Sequence, residues 1–292
     1  MKNSILFKLI TWLLGLAVSV VLFFAGAYVF LKVKYDVDFF ATVKQVKVLT
    51  ETPDESVLVT NPFADENMQS AMVTINASVP NLVKYSTETG YDISGDDVTA
   101  TEMSQTIRLA DVECGAVLNS MIAKNAENNK IKIGSAELPF QFVELDFSDL
   151  NVTEKTVSFT SILKLDARNL KESMSSFPAS LFKKYIPDYF FVSTTTTVTK
   201  TETAFEYTVS NAKVKINNLT TEETMSLLET LNKLLSFGNP ETLANSFAEP
   251  MVNALIGTSE TNGFVYVLKN SFSASDWAFV LDGEKIYFEV YA

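Results

Sequence analysis

An uncharged run near the N-terminus constrains this chain more than any other feature. Residues 9–31, LITWLLGLAVSVVLFFAGAYVFL, contain fourteen Leu, Ile, Val and Phe side chains and no charge. A helix of this length is about 34 Å long, which is enough to cross the hydrocarbon core of a bilayer. The run therefore predicts a single-pass transmembrane helix within an N-terminal membrane anchor at residues 1–35, with the lipid bilayer as its partner.

A cleavable signal peptide is the alternative explanation of this run. Ala25-Gly26-Ala27 matches the small-residue pattern found at signal-peptide cleavage sites. The run is longer than the apolar core of an ordinary signal peptide, and it continues through Tyr28 to Leu31. Its length favours an uncleaved signal-anchor.

The lysines around the run do not decide its orientation. Two lysines precede it and four follow it closely, at Lys32, Lys34, Lys44 and Lys47. Long C-terminal domains cross membranes largely regardless of such charges. We therefore expect a cytoplasmic N-terminus and an extracytoplasmic C-terminal domain at the cell membrane.

The chain as a whole is strongly acidic. It has 35 acidic residues against 23 basic ones, a formal net charge of -12, and its first acidic residue is Asp36. Nucleic-acid binding requires clustered Lys and Arg side chains that neutralise phosphates. The charge balance therefore argues against nucleic acid as a partner.

The residues most often used in catalytic and metal sites are scarce. The chain has no histidine, one cysteine and neither of the Gly-rich phosphate-binding patterns GxxxxGK[ST] and GxGxxG. Histidine is the commonest general base and transition-metal ligand, and disulfides and CxxC motifs need a second cysteine. We expect no enzymatic activity, no cofactor and no metal site.

The single cysteine, Cys114, lies at the start of a predicted helix. Asp111 is a suitable N-cap, and the apolar residues after it have the spacing of one helical face: Cys114, Val117, Leu118, Met121 and Ile122. A cysteine on an apolar face behaves as a small hydrophobic side chain, and no neighbouring cation favours its thiolate. We expect Cys114 to pack in the core.

Residues 36–98 are predicted to form a strand-rich lead-in with no independent core. The segments at 37–49, VDFFATVKQVKVL, and at 71–79, AMVTINASV, alternate imperfectly between apolar and polar residues. Turn-forming residues occur between them in ETPDES and TNPFADEN. Both segments are predicted to be strands.

Residues 99–292 are predicted to form an α+β domain with a twisted antiparallel sheet. After the Cys114 helix, four segments rich in alternating or β-branched side chains are strand candidates, at 138–147, 156–167, 189–200 and 203–216. In the last of these, the apolar positions change parity after Val209, which predicts a β-bulge near Asn211.

A long helical segment follows the four strands. Thr220 and Glu223 have the spacing of a capping box at the start of a helix. Asn239-Pro240 then starts a second helix, with Pro at its first position. The sheet is predicted to pack on this helical segment.

The chain ends in a predicted β-hairpin. If Asp282-Gly283 form a two-residue turn, Trp277 pairs with Phe288 and Phe279 pairs with Ile286. Six apolar side chains then share one face, at Trp277, Phe279, Leu281, Ile286, Phe288 and Val290. One side of the hairpin is therefore expected to be buried.

The order helix, four strands and long helical segment resembles the α-β4-α unit of tubular lipid-binding (TULIP) proteins. The segments IRLADVECGAVLNSMI, LPFQFVELDFSD and SDWAFVLDGEKIYFEV are similar to those of YpmS-like membrane-anchored bacterial proteins. The resemblance covers residues 100–292 and the anchor, and its motifs are patterns of hydrophobic spacing. It implies an anchored extracytoplasmic domain in which a curved sheet wraps a long helix and lines an apolar groove.

Two kinds of function remain open on the sequence alone. One is the binding of lipid or another amphipathic ligand in an apolar groove. The other is a structural or assembly role in the cell envelope, in which the same sheet and helices grip a protein partner. For a ligand, the predicted apolar contacts are Leu227, Leu231, Leu234, Leu235, Leu243, Phe247 and Met251. A large internal groove would favour the ligand, and an exposed apolar patch the protein partner.

Overall fold

The computed structural model describes most of the chain after the N-terminal run. The described residues are 27–51, 64–93, 98–124, 130–133, 136–177, 179–235, 239–258 and 263–292. The helices are α1 (27–35), α2 (Phe39–Leu49), α3 (Asp65–Ser78), α4 (Asp111–Lys124), α5 (Arg168–Ser173), α6 (Thr221–Leu235), α7 (Pro240–Leu255) and α8 (Phe264–Phe272). The strands are β1 (Val83–Ser86), β2 (Gly90–Ile93), β3 (Ile107–Ala110), β4 (Lys130–Ile133), β5 (Ala136–Asn151), β6 (Thr156–Asp166), β7 (Tyr189–Lys200), β8 (Tyr207–Ile216), β9 (Asp276–Asp282) and β10 (Lys285–Tyr291).

Most of the predicted membrane anchor lies outside the described residues, which begin at residue 27. Among the residues that are described, no helix has both the length and the apolar character needed to cross a bilayer. The predicted transmembrane helix at 9–31 therefore stays a prediction.

The lead-in at 36–98 departs from its prediction, because both of its predicted strand segments are helical. Asp38 caps α2 by accepting a hydrogen bond from the Ala41 amide at 3.0 Å. The stripe Thr42, Val46 and Leu49 is buried, and in α3 the buried side chains are Met68, Ala71, Ile75 and Ser78. An imperfectly alternating pattern of apolar residues is also compatible with one apolar face of a helix. Packing of α2 on α6 and of α3 on α4 stabilises the helical conformation of these segments. The described strands of this region are β1 and β2, which pair with each other.

The lead-in shares its core with the rest of the protein. Its buried side chains belong to the same hydrophobic cluster as those of the main sheet. At its end, the Ser104 amide donates to the Ser78 carbonyl oxygen at 3.0 Å. The described residues of the lead-in, 36–51, 64–93 and 98, therefore pack as part of the α+β domain.

The main sheet confirms the predicted α+β class. It is a curled antiparallel sheet of five strands in the order β4-β5-β6-β7-β8, and its last four strands are the four predicted segments. The predicted bulge near Asn211 is also confirmed. Thr195 pairs with Lys213 and Thr197 pairs with Ser210, so two residues of β8 lie opposite Thr196.

One face of this sheet is buried beneath helices. Cross-strand rows of buried side chains run over it, for example Phe142, Leu163, Val192 and Ile216. α4 packs on β5, α6 packs on β8, and α7 packs on both β7 and β8. The capping box of α6 is present: Glu223 donates its amide to the Thr220 hydroxyl at 3.2 Å, and its carboxylate accepts from the Thr220 amide at 2.9 Å.

The C-terminal hairpin is present, but its register differs from the prediction by two residues. Phe279 pairs with Phe288 and Trp277 with Val290, so the turn residues are Gly283 and Glu284. Gly283 has a φ of +63°, which a type II′ turn requires at its first central position. A shift of two residues keeps side-chain parity, so the predicted apolar face is retained. The hairpin joins β3 in a second sheet of order β3-β10-β9.

Candidate functional site

The predicted ligand contacts on α6 and α7 are brought together, but as part of the protein core. Four of them are almost completely buried in the main hydrophobic cluster: Leu227, Leu231, Phe247 and Met251. Leu234 is partly buried against that cluster. The side chains of Leu235 and Leu243 lie outside what the structure describes. These helices therefore pack on the sheet through the face that was predicted to hold a ligand.

Polar groups at the same contact are paired with other protein groups. The hydroxyls of Ser161 and Thr194 lie 2.7 Å apart in the buried face of the sheet. Thr196 donates to the Ser210 carbonyl oxygen at 2.9 Å, inside the bulge. Thr224 of α6 accepts from the Ile216 amide at 3.1 Å. Such mutual pairing is typical of a packed interior.

An apolar slot of about 190 Å³ lies between the C-terminal hairpin and the tip of the β5–β6 hairpin. We call it the β9 slot. It is lined by Leu150, Val152, Lys155, Lys200, Trp277, Ala278 and Phe279. Consecutive residues of a strand point to opposite faces, so a cavity lined by three in a row lies along the edge of that strand. The β9 slot therefore follows the edge of β9 that faces away from β10.

That edge of β9 carries backbone groups that point away from β10. Trp277 shows the direction, because its carbonyl oxygen accepts from Lys200 Nζ at 2.6 Å and its amide donates to the Asp276 carboxylate at 2.8 Å. Backbone direction alternates along an antiparallel strand, so Phe279 and Leu281 point the same way. Within the described residues no strand pairs with this edge.

Trp277, which lines the slot, has a buried indole nitrogen without a hydrogen-bond partner. Its side chain is 1 % exposed, and its indole Nε1 meets no acceptor among the described residues. An unpaired buried donor costs about 1–3 kcal/mol. Lys200 Nζ lies 5.3 Å from the centre of the Trp277 ring and also donates to Asp276 at 2.6 Å. The slot thus has an apolar floor, and its cation Lys200 is engaged by Asp276 and by the Trp277 carbonyl oxygen.

Exposed apolar side chains flank the slot. Val152, at the tip of the β5–β6 hairpin, is 73 % exposed. Leu281, which follows Phe279 on β9, is 60 % exposed. Phe279 forms the inner wall, where its ring packs against Phe147 at 4.9 Å and Phe288 at 5.1 Å. The aromatic packing holds β9 in place, while the rim of the slot remains open to solvent.

A second cleft, of about 300 Å³, lies on the solvent face of the main sheet and is polar. Its lining includes Lys164, Asp166, Arg168 and Tyr189. Arg168 forms a bidentate ion pair with Asp166, and this hydrogen bonding holds the pKa of the Asp166 carboxyl below its usual value. Lys164 Nζ lies 4.7 Å from the centre of the Tyr189 ring. Because its lining is largely polar and comes from strands that are paired on both sides, this cleft is the weaker candidate for a peptide.

The lone cysteine lies apart from both clefts. Cys114 is completely buried in α4, and burial raises the pKa of its thiol well above the ordinary value, with smaller contributions from Glu113 and Asp111. The prediction that Cys114 packs in the core is confirmed. Among the described residues, no group of three or more metal-ligating side chains is close enough to hold a metal ion.

Comparisons with known proteins give no relative. No protein-family model matches the chain, and neither a curated protein nor a solved structure is similar to it. The resemblance to TULIP and YpmS-like proteins therefore stays an expectation from hydrophobic spacing.

Sequence reasoning missed the β9 slot, although it identified part of its wall. Trp277 and Phe279 were correctly placed on the apolar face of the hairpin. The missing information was that β10 pairs with β3, which leaves β9 at the edge of its sheet. A signal was available in the two apolar residues at the tip of the β5–β6 hairpin, Leu150 and Val152, of which Val152 is 73 % exposed.

Proposed function

We propose that this protein is a membrane-anchored binding protein of the cell envelope that holds an extended segment of a protein partner along β9. The observation that carries the proposal is the β9 slot, an apolar cavity beside an unpaired strand edge. An added strand would pair its backbone with Phe279 and Leu281, which is the general mode of β-strand addition. Apolar side chains of that strand would enter the slot.

The size and chemistry of the slot support a peptide over a lipid. Pockets for small ligands usually enclose roughly 300–1,000 Å³. The slot, at about 190 Å³, suits one or two side chains. A peptide also supplies backbone amide and carbonyl groups, which would pair with those of Phe279 and Leu281 at the open edge of β9.

The lipid hypothesis has less support, because four of its predicted contacts on α6 and α7 are core residues. The membrane anchor at 9–31 and the extracytoplasmic position of the domain are part of the proposal and rest on the uncharged run. The absence of enzymatic activity likewise rests on the residue content of the chain.

Site-specific photo-cross-linking in intact membranes tests the proposal. A benzophenone amino acid in place of Val152, at the rim of the slot, should give an adduct with another protein. The matched control replaces Val73, which is 64 % exposed on α3. An adduct of twice the mass of the chain would identify the partner as a second copy.

Leu281→Pro provides a variant directed at the strand edge. Leu281 presents its amide away from β10, so proline there removes a donor for an added strand while leaving the β9–β10 pairing intact. The adduct at residue 152 should fall to the Val73 level in Leu281→Pro and persist in Leu281→Ala, which keeps the amide. The proposal would be overturned if residues 152 and 73 gave equal amounts of adduct. It would also be overturned if the protein formed no adduct and released co-purified lipid.

A further inference from the structure

Aromatic side chains of three separate segments form two ring clusters where the described chain begins, and α1 contributes to both. We call the two clusters together the aromatic rim, and its members are Tyr28, Phe30, Tyr35, Phe39, Phe40 and Phe177. The ring centres of Phe30 and Phe177 are 5.4 Å apart, and those of Tyr28 and Phe40 are 5.6 Å apart. Phe39 continues the cluster inward to the fully buried Phe182 at 5.6 Å. The rim is thus fixed to the core of the domain.

Several large apolar side chains in and beside the aromatic rim are exposed to solvent. Phe40 is 65 % exposed, Phe177 is 53 % exposed, and Val33 on α1 is 81 % exposed. Single exposed apolar residues are ordinary, whereas a contiguous exposed patch marks an interaction surface.

The position of the rim identifies what covers it. Tyr28 and Phe30 belong both to the rim and to the uncharged run at 9–31, and α1 continues that run into the domain. If the run crosses a bilayer, these last residues lie at the boundary between hydrocarbon and headgroups. Phe40 contacts Tyr28, and Phe177 contacts Phe30. Both would therefore lie at a similar depth in the bilayer to these two residues. Tyr side chains such as Tyr28 and Tyr35 are enriched at this depth in membrane proteins, and Phe side chains occur on the buried face of helices that lie in the interface.

Cations accompany the aromatic rings, although the protein as a whole is acidic. Lys34 Nζ lies 5.2 Å from the centre of the Phe30 ring. Lys184 Nζ lies 4.7 Å from the centre of the ring of Tyr185, whose amide donates to the Phe182 carbonyl oxygen at 2.9 Å. Lysines at the edge of an apolar surface extend their ammonium groups towards anionic headgroups.

We infer that the aromatic rim lies in the headgroup layer of the bilayer and sets the orientation of the domain on the membrane. This inference rests on the membrane anchor of the proposed function. Phe182, which packs on Phe39 of the rim, lies seven residues before Tyr189, the first residue of β7. The β9 slot contacts Lys200, at the other end of β7.

The length of β7 separates its two ends, and the slot lies at the end that is further along the chain from Phe182. β7 runs from Tyr189 to Lys200, and a strand rises about 3.3 Å per residue, so its ends are roughly 35 Å apart. With the rim in the headgroups, the slot faces away from the bilayer and is available to a partner in the extracytoplasmic space.

Fluorescent labelling of the full-length protein in vesicles tests this orientation. Phe40→Cys and Phe177→Cys replace exposed side chains, and Cys114→Ala removes the native thiol. Each variant is labelled with an environment-sensitive dye in vesicles of phosphatidylcholine and phosphatidylglycerol that carry nitroxide lipids. Labels at residues 40 and 177 should show blue-shifted emission and quenching by nitroxides at the headgroup level. A label on Val152→Cys, at the rim of the slot, should show neither effect.

A label on Val20→Cys, in the middle of the uncharged run, separates failure of this inference from failure of the anchor. Quenching of this label by nitroxides deep in the acyl chains, with residues 40 and 177 responding no more than residue 152, would overturn the orientation and leave the anchor in place. A Val20 label that deep nitroxides do not quench would overturn the anchor and the orientation together.

Discussion

Cys114 shows how a potentially reactive residue becomes a structural one. The thiol is completely buried, and burial raises its pKa well above the ordinary value, so the nucleophilic thiolate is strongly disfavoured. Cys114→Ala should cost about 1 kcal/mol of unfolding free energy, as expected for a small buried group, and should leave the residue 152 cross-link unchanged. Urea unfolding measures the first effect. Rapid reaction of the native protein with a thiol reagent would contradict the burial.

Asp111 has its carboxyl group in a half-buried position, where burial disfavours the ionised form. Burial raises the pKa of its carboxyl, so the folded protein binds this proton more tightly than the unfolded chain does. The contribution of Asp111 to stability is therefore greatest below the unfolded pKa of about 4 and declines as pH rises through the folded value. Asp111→Asn should raise the urea midpoint at pH 7 relative to the unmodified protein, and the gain should vanish at pH 3.

The control for Asp111 is Asp65→Asn, which removes an exposed carboxylate from the first turn of α3. Carboxylates near a helix N-terminus stabilise the helix, so this variant should lose a few tenths of a kcal/mol at pH 7. A similar loss in Asp111→Asn would mean that the helix dipole outweighs the cost of burial at Asp111.

Among the structural elements, the junction of α7 and α8 depends on two glycines in direct backbone contact. Gly257 has a φ of +83°, and a Cβ atom there would lie 2.3 Å from the Gly263 backbone nitrogen. Gly257→Ala therefore combines left-handed strain with a clash against backbone, and it should cost about 3 kcal/mol or more. Chemical denaturation monitored by circular dichroism measures the loss.

Gly90 provides a matched control for that junction. It has a φ of +71° at the first position of β2, but an added Cβ would meet no atom within 4 Å. Gly90→Ala should therefore cost only the left-handed strain, about 1–2 kcal/mol. Equal losses in the two variants would show that the contact between Gly257 and Gly263 relaxes without penalty.

For the whole molecule, the arrangement of anchor, rim and slot predicts how the protein is exposed on cells. Protease added to intact cells should digest the domain beyond residue 35 and leave a small membrane-bound fragment. The reason is that the uncharged run at 9–31 is expected to remain in the bilayer while the acidic domain lies outside. Immunoblotting with tags at either terminus measures this. A mature protein that begins near Tyr28, or a fully protected domain, would contradict it.

The sequence by itself determined the elements whose signals are local. The strands β5 to β8, the bulge near Asn211, the α6 capping box and the burial of Cys114 all follow from side-chain periodicity and turn or cap chemistry within a few residues. The apolar face of the hairpin was also predictable. The observed register differs from the predicted one by two residues, which leaves side-chain parity unchanged. The same six apolar side chains therefore share one face, although the predicted turn was wrong.

Only the tertiary structure decided the features that depend on which surfaces meet. Segments 37–49 and 71–79 fit a strand or a helix, and contact with α6 and α4 selects the helix. The apolar stripe of α6 and α7 is compatible either with a ligand-binding surface or with core packing. In the structure its four buried side chains pack against the sheet as part of the core. The slot exists because β10 pairs with β3 and leaves β9 at an edge. Periodicity specifies which face of an element is apolar, but long-range pairing determines what covers that face.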